Sequence, residues 1–265
     1  MESTAILADR LVRARRGNLA LPAFPGSVPA TAEAAYAVQQ QATRLWGAQP
    51  AGWKIGAVRP EWRADFGNSR FVGPIFPDTI RRASDGEEIE VPVVPGGFGV
   101  VEAELVVELG VDLAPRASGY SLEELDDAIG RVHVGVEIAG SAVADIVALG
   151  PCAVVADFGV NRGLIVGPQI ENWRALPLAA LQASARWEAK EDSEVSGSAA
   201  TLEGGLAGAL AVCAERLGTG ISLRQGDLIS TGAICGLRPL QAGRRAKVSF
   251  KGIAELTVGF RAHAS

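Results

Sequence analysis

The 265-residue chain has no run of 18 uninterrupted apolar residues, so no segment is expected to cross a membrane as a helix. Cysteine is scarce. Cys152, Cys213 and Cys235 are odd in number and form no CxxC pair, which excludes a disulfide scaffold and predicts small core residues in a reduced cytoplasm. Histidine is scarcer still: neither His133 nor His263 has a partner at ligand spacing, so zinc fits poorly. No GxGxxG or GxxxxGK[ST] pattern surrounds Gly159 or Gly204-Gly205, which excludes the common phosphate loops. A GxSxG nucleophile elbow is also missing. Basic charge is in deficit, with a net charge of −5, which argues against nucleic acid or an anionic membrane as partner. At the N-terminus, Arg10, Arg13, Arg15 and Arg16 interrupt any leader-like apolar run, so a secretory leader is not expected.

What the chain does have is glycine and proline, 32 and 14 residues, which predict many turns between short strands. Residues 4–16 and 31–46 read as helices, the second capped by Thr31 with Ala35, Val38, Ala42 and Leu45 on one face. Residues 152–166 and 183–191 read as strands, and 202–217 as a helix ended by Gly218. Ser121 and Glu124 have capping-box spacing. The stretch Ser84-Asp85-Gly86-Glu87-Glu88, followed by Pro92, Pro95, Gly96 and Gly97, divides an N-terminal helical and strand region (1–83) from a core (84–265). The balance predicts a β-rich α+β fold.

The most informative stretch is Val100-Val101-Glu102-Ala103-Glu104-Leu105-Val106-Val107. In a strand, side chains alternate between faces. Val101, Ala103, Leu105, Val107 and Leu109 therefore form an apolar face, and Glu102 and Glu104 share the other, with Glu108 in the same parity. Two carboxylates about 6 Å apart at an effective dielectric near 20 repel by roughly 2–3 kcal/mol. Such a pair is either solvated or given a cation. A second strand-like run, Val132 to Gly140, sets Glu137 beside Gly135, which leaves room for an approaching group, and puts His133 on the same face. Three carboxylates from two strands make a hard oxygen site of the kind Mg²⁺ or Mn²⁺ accepts.

Three further residues have two readings each. Lys54, in Gly52-Trp53-Lys54-Ile55-Gly56, is either a fixed or titrating charge in a buried strand or a surface lysine lying along Trp53. Thr231-Gly232 either presents a hydroxyl and an amide to an anion or makes a plain turn. Asp157 closes an apolar run, where an aspartate can simply cap a turn.

Taken in order, these stretches resemble the hydratase and decarboxylase branch of the fumarylacetoacetate hydrolase superfamily. The likeness runs from about residue 30 to the end and is carried by Gly52–Gly56, Val101–Glu104, Gly135–Ser141, Val155–Asp157, Glu194–Ala200 and Gly226–Ala233. The resemblance implies a mixed β-roll core with an N-terminal helical region. It implies Mg²⁺ or Mn²⁺ on Glu102, Glu104 and Glu137, with Lys54 catalytic and Lys54, Phe71, Asp157 and Thr231 around the substrate. It also implies a cytoplasmic homo-oligomer that can associate with a pathway enzyme. Two departures stand out: Phe71 occupies the place of an active-site aspartate, and Asp157-Phe158 replaces an Asp-Asn pair. The expected activity is that of a lyase on a 2-oxo acid or its dienol, a 2-hydroxypentadienoate-type hydratase. A 4-oxalocrotonate-type decarboxylase, an acylpyruvate hydrolase and a non-catalytic subunit of the same fold are the alternatives.

Overall fold

Helix α1 (Thr4–Gly17) begins where the Ser3 side chain accepts from the Ile6 amide, and α2 (Ala32–Trp46) where Thr31 accepts from Ala34. There follow β1 (Gly52–Ala57), α3 (Arg63–Phe66), β2 (Arg70–Ile75), β3 (Ile80–Arg82), β4 (Glu88–Val93), β5 (Phe98–Leu109), α4 (Leu122–Asp127), β6 (Ile129–Ser141) and α5 (Pro151–Ala156). The remainder is β7 (Asn161–Gln169), β8 (Gln182–Trp187), β9 (Val195–Ser198), α6 (Gly205–Ala214), β10 (Leu228–Ser230), β11 (Arg238–Pro239), β12 (Arg245–Phe250) and β13 (Ala254–Ala262). This computed structural model describes residues 3–188, 194–215, 222–240 and 242–262.

Two mixed sheets make the fold, as the α+β expectation requires. The first runs β2-β1-β10-β5-β6-β7-β3 with β11 added on β5, and the second β4-β13-β12-β8-β9. Strands from both sides of residue 84 enter the first sheet, and β4 is where the chain crosses to the second. The odd positions of β5 do face the core: Val101, Ala103, Leu105, Val107 and Leu109 pack in one cluster with Ala185, Val248, Phe250 and Val258 of the second sheet. Burial of that apolar face fixes the strand's register, because a one-residue slip would bring the glutamates inside it. Helices α1, α2 and α5 supply apolar residues to the clusters on the opposite side.

The expectations differ from the structure in a few places. Residues 152–166 are not one strand, because Pro151 opens the short helix α5 before β7 begins at Asn161. Val154 and Val155 are buried there in one cluster with Ala35 of α2, and not in a ladder. On α2, Ala35, Val38 and Ala42 are buried as expected, but Leu45 is exposed. The end of the 183–191 strand and the Gly218 helix stop lie outside the described residues. The capping box of α4 is present with both of its reciprocal bonds.

One contact ties the helical layer to the sheet. A Cβ built on Gly73 of β2 would stand 2.3 Å from the Phe158 carbonyl oxygen and 3.0 Å from the Gly159 Cα, both backbone atoms. Gly73→Ala is therefore expected to destabilise the fold by about 1–3 kcal/mol through overpacking, read as a lowered midpoint in urea unfolding.

Candidate metal centre

The polar face of β5 meets its partner strand directly. Glu102 pairs across the ladder with Glu137 of β6, and Glu104 with Gly135. Directly opposed residues on one face lie about 4.5–5.5 Å apart at Cβ. One carboxylate oxygen from each of Glu102, Glu104 and Glu137 falls within 4.8 Å of the other two. Glu104 and Glu137 are fully buried and Glu102 is half-buried, so the trio opens on the Glu102 side. Gly135 does not leave an open space, contrary to expectation: a Cβ there would meet a Val106 methyl at 2.4 Å.

Lys54 joins the trio from β1, with Nζ 3.3 Å from Glu137 Oε2. It is 3% exposed, so the surface reading of this lysine does not hold. The Phe71 ring, cross-strand from Gly56, lies with its centroid 5.2 Å from Nζ. A Cβ at Gly56 would enter that ring, which is why the strand needs glycine at this position.

Three groups hold the carboxylates: the Gly232 amide, as one reading of Thr231-Gly232 expects, and the side chains of Ser230 and Asn161, not foreseen in the sequence. Ser230 Oγ donates to Glu104 Oε2, and the Gly232 amide donates to the same oxygen at 2.9 Å. Asn161 Nδ2 donates to Glu137 Oε1 at 2.9 Å. A bulge places that amide. Between Ile138 and Ala139 the register shifts, so Ala139 pairs with Asn161 and Arg162 is the extra residue. Asn161 is thereby turned onto the face of the glutamates. Thr231 spends its hydroxyl on the Leu105 carbonyl at 3.0 Å, which fixes the loop that presents Gly232. Asp157 accepts from Ser141 and pairs with Arg15 at 3.2 Å. His133 stands at the other end of β6, with Nδ1 3.3 Å from the Gly167 carbonyl and Nε2 3.5 Å from Glu108.

After this bonding, Glu104 Oε1 is buried with no hydrogen-bond partner among the described residues, and Glu137 Oε2 has only the Lys54 ion pair. Burial pushes the Glu102 carboxyl up to about 7, against the pull of Lys54 and with a further rise from Glu137. Burial, then the charges of Glu137 and Glu102, hold Glu104 well above the usual carboxylate range. Burial alone would lower the Lys54 pKa, but the three glutamates outweigh it and the net shift is upward, so the side chain is an ammonium. With all three carboxylates ionised, one ammonium leaves two negative charges in a buried site, the charge that a divalent cation would neutralise. All donors are oxygens, which fits Mg²⁺ or Mn²⁺ and leaves coordination positions for a substrate.

No protein-family model matches the chain. Among solved structures, 4-oxalocrotonate decarboxylase from Pseudomonas putida G7, complexed with calcium and acetate, superposes with a TM-score of 0.78 at 21% identity. That match covers 97% of this chain and 96% of the other. The same enzyme with magnesium and adipate gives 0.76 at 20% identity over 97% of each chain. Fumarylpyruvate hydrolase from Pseudomonas aeruginosa, in complex with Mn²⁺ and pyruvate, gives 0.55 at 16% identity, covering 82% and 91%.

The raised carboxyls set a pH dependence. Folding holds protons on Glu102 and Glu104 above the ordinary carboxylate pKa, so the metal-free protein loses stability as pH rises from that range through about 7. A cation binds the deprotonated forms and reverses the trend. In thermal melts, the rise in Tm from excess Mg²⁺ is expected to be larger at pH 8 than at pH 5.5, and to disappear in Glu104→Gln.

Proposed function

We propose that this chain, which has the fold of the fumarylacetoacetate hydrolase superfamily, is a divalent-metal-dependent enzyme acting on a 2-oxo acid or its dienol. We also propose that it releases CO₂ in preference to adding water. The observation that carries the reading is the buried set of Glu102, Glu104, Glu137 and Lys54, whose charge a divalent ion completes.

Glu102, Glu104 and Glu137 would hold Mg²⁺ or Mn²⁺, which would supply Lewis-acid stabilisation of the charge that develops on such a substrate. Lys54 places a fixed positive charge beside the developing oxyanion, in a site where burial strengthens the interaction. It also carries a proton that can be returned to carbon when the enol product ketonises. Ser230 and Gly232 hold Glu104, and Asn161 holds Glu137, so the ligand oxygens are aimed before any substrate arrives.

Hydration and decarboxylation differ in what they need beside this platform. Adding water requires a group that orients and deprotonates it. The acids acting on Lys54 are the three glutamates themselves, and at position 71 a phenyl ring faces the ammonium. Decarboxylation needs no water: the carbon–carbon bond to the leaving carboxylate breaks, and its electron pair passes into the conjugated 2-oxo system. The decarboxylase structures have higher TM-scores than the hydrolase, which supports decarboxylation over hydrolysis. Hydrolytic carbon–carbon cleavage is disfavoured because, among the described residues, no histidine joins the trio: His133 pairs with Glu108, four residues along β6 from Glu137. The resemblance adds a cytoplasmic homo-oligomer, and co-purification with a pathway enzyme tests the partner it implies.

Incubation with 4-oxalocrotonate and Mg²⁺ is expected to release CO₂, and incubation with 2-hydroxypenta-2,4-dienoate to give little 4-hydroxy-2-oxo acid. The opposite product pattern would overturn decarboxylation, and no turnover of either would overturn the substrate class. Lys54→Met is expected to lower kcat by about 100-fold or more while Mg²⁺ binding persists. Phe71→Asp is expected to raise hydration relative to CO₂ release, measured by product ratio.

A further inference from the structure

The structure assigns Arg15 of helix α1 a positioning role: it holds the turn that aims Asn161 at the metal ligand Glu137. This rests on the metal-centre reading above.

Arg15 is 7% exposed, an unusual place for arginine. Its guanidinium meets Asp157 Oδ1 through Nε at 3.3 Å and Nη2 at 3.2 Å. Nη2 also donates to the carbonyls of Asp157 at 3.1 Å and Gly140 at 3.3 Å, while Nη1 donates to the Asn161 carbonyl. One side chain thus grips both ends of the segment 157–161 and the end of β6, the strand that carries Glu137. These contacts span more than 120 residues of sequence, so nothing local substitutes for them. The Phe158 ring lies 5.0 Å from the guanidinium carbon.

The gripped segment is one that its residues disfavour. Phe158, Gly159 and Val160 have φ of 57°, 62° and 56°, so a bulky and a β-branched side chain both sit in the left-handed region. Such a turn persists only where its surroundings over-determine it, and strain of this kind collects at functional sites. Its output is geometric. The turn delivers Asn161 to the bulge, where its amide meets Glu137 Oε1, and it lays Gly159 against Gly73 and the Lys54 stem. A clip that merely docked α1 would not need to bond the Asn161 carbonyl. Lysine cannot reproduce the grip, because an ammonium lacks the planar fork that reaches these acceptors together.

The test is Mn²⁺ titration, with free ion read by electron paramagnetic resonance, alongside thermal melts of the metal-free proteins. Arg15→Met, Arg15→Lys and Asn161→Ala are each expected to weaken Mn²⁺ binding by about 10- to 100-fold. Asn161→Ala, which leaves Glu137 Oε1 buried without its donor, should lower Tm as well. The double variant Arg15→Lys/Asn161→Ala should bind no more weakly than the weaker single, because both act through one amide. Added methylguanidinium should restore part of the affinity of Arg15→Met. Full Mn²⁺ affinity in folded Arg15→Lys or Arg15→Met with only a lower Tm would overturn the proposal, as would additive losses in the double variant. If Arg15→Met does not fold, Arg15→Lys and the double variant decide. A wild type that binds no Mn²⁺ would instead remove the metal-centre reading itself, a distinguishable result.

Discussion

A charge imbalance inside the first sheet governs the rest of the site. Two glutamates from one strand and a third from its neighbour face a single ammonium where water is largely excluded. Removing charges from water costs several kcal/mol per ion unless partners replace the solvent. The protein meets part of that demand with neutral donors: a serine hydroxyl, a loop amide and an asparagine amide. Two carboxylate oxygens, Glu104 Oε1 and Glu137 Oε2, find no hydrogen-bond donor among the described residues. The neutral donors orient the carboxylates without cancelling their charge, so attraction for a divalent cation is kept while geometry is fixed.

Regular and irregular backbone divide the work. The long ladder of β5 and β6 sets the glutamates, because strand pleat and cross-strand pairing allow few alternatives. Everything that tunes them comes from breaks in regularity: a bulge at Arg162, a left-handed turn at 158–160, and the loop after β10. Lys54 is regular in its own strand but reaches the acids only because glycines at 56, 73 and 159 let ring and backbone close in around it. Rigid strands thus carry the charges and irregular segments adjust them, as a preorganised site requires.

This division also explains what was legible in the sequence. The shared face of Glu102 and Glu104 was readable because strand parity is strict, and the caps at Thr31 and Ser121 were readable because they are local. Ser230 could have been found by the same parity, since it pairs with Lys54 in register and so shares its face. Asn161 could not, because a bulge changes parity and leaves no sequence mark. The amide that seemed lost at Phe158 is supplied three residues later, beyond the left-handed turn. Arg15 read only as a charge interrupting an apolar run, since its partners are distant in the chain. The Val154-Val155 pair suggested a strand, and Pro151 with tertiary packing made it a helix instead.

The position of β10 has a consequence for how the molecule comes into being. This three-residue strand, late in the chain, lies between β1 and β5 and is the piece through which the lysine strand joins the glutamate strands. During synthesis, Lys54 and the glutamates leave the ribosome long before the strand that brings them side by side. A nascent chain therefore carries its paired acids without their lysine until residue 230 has emerged and entered the sheet.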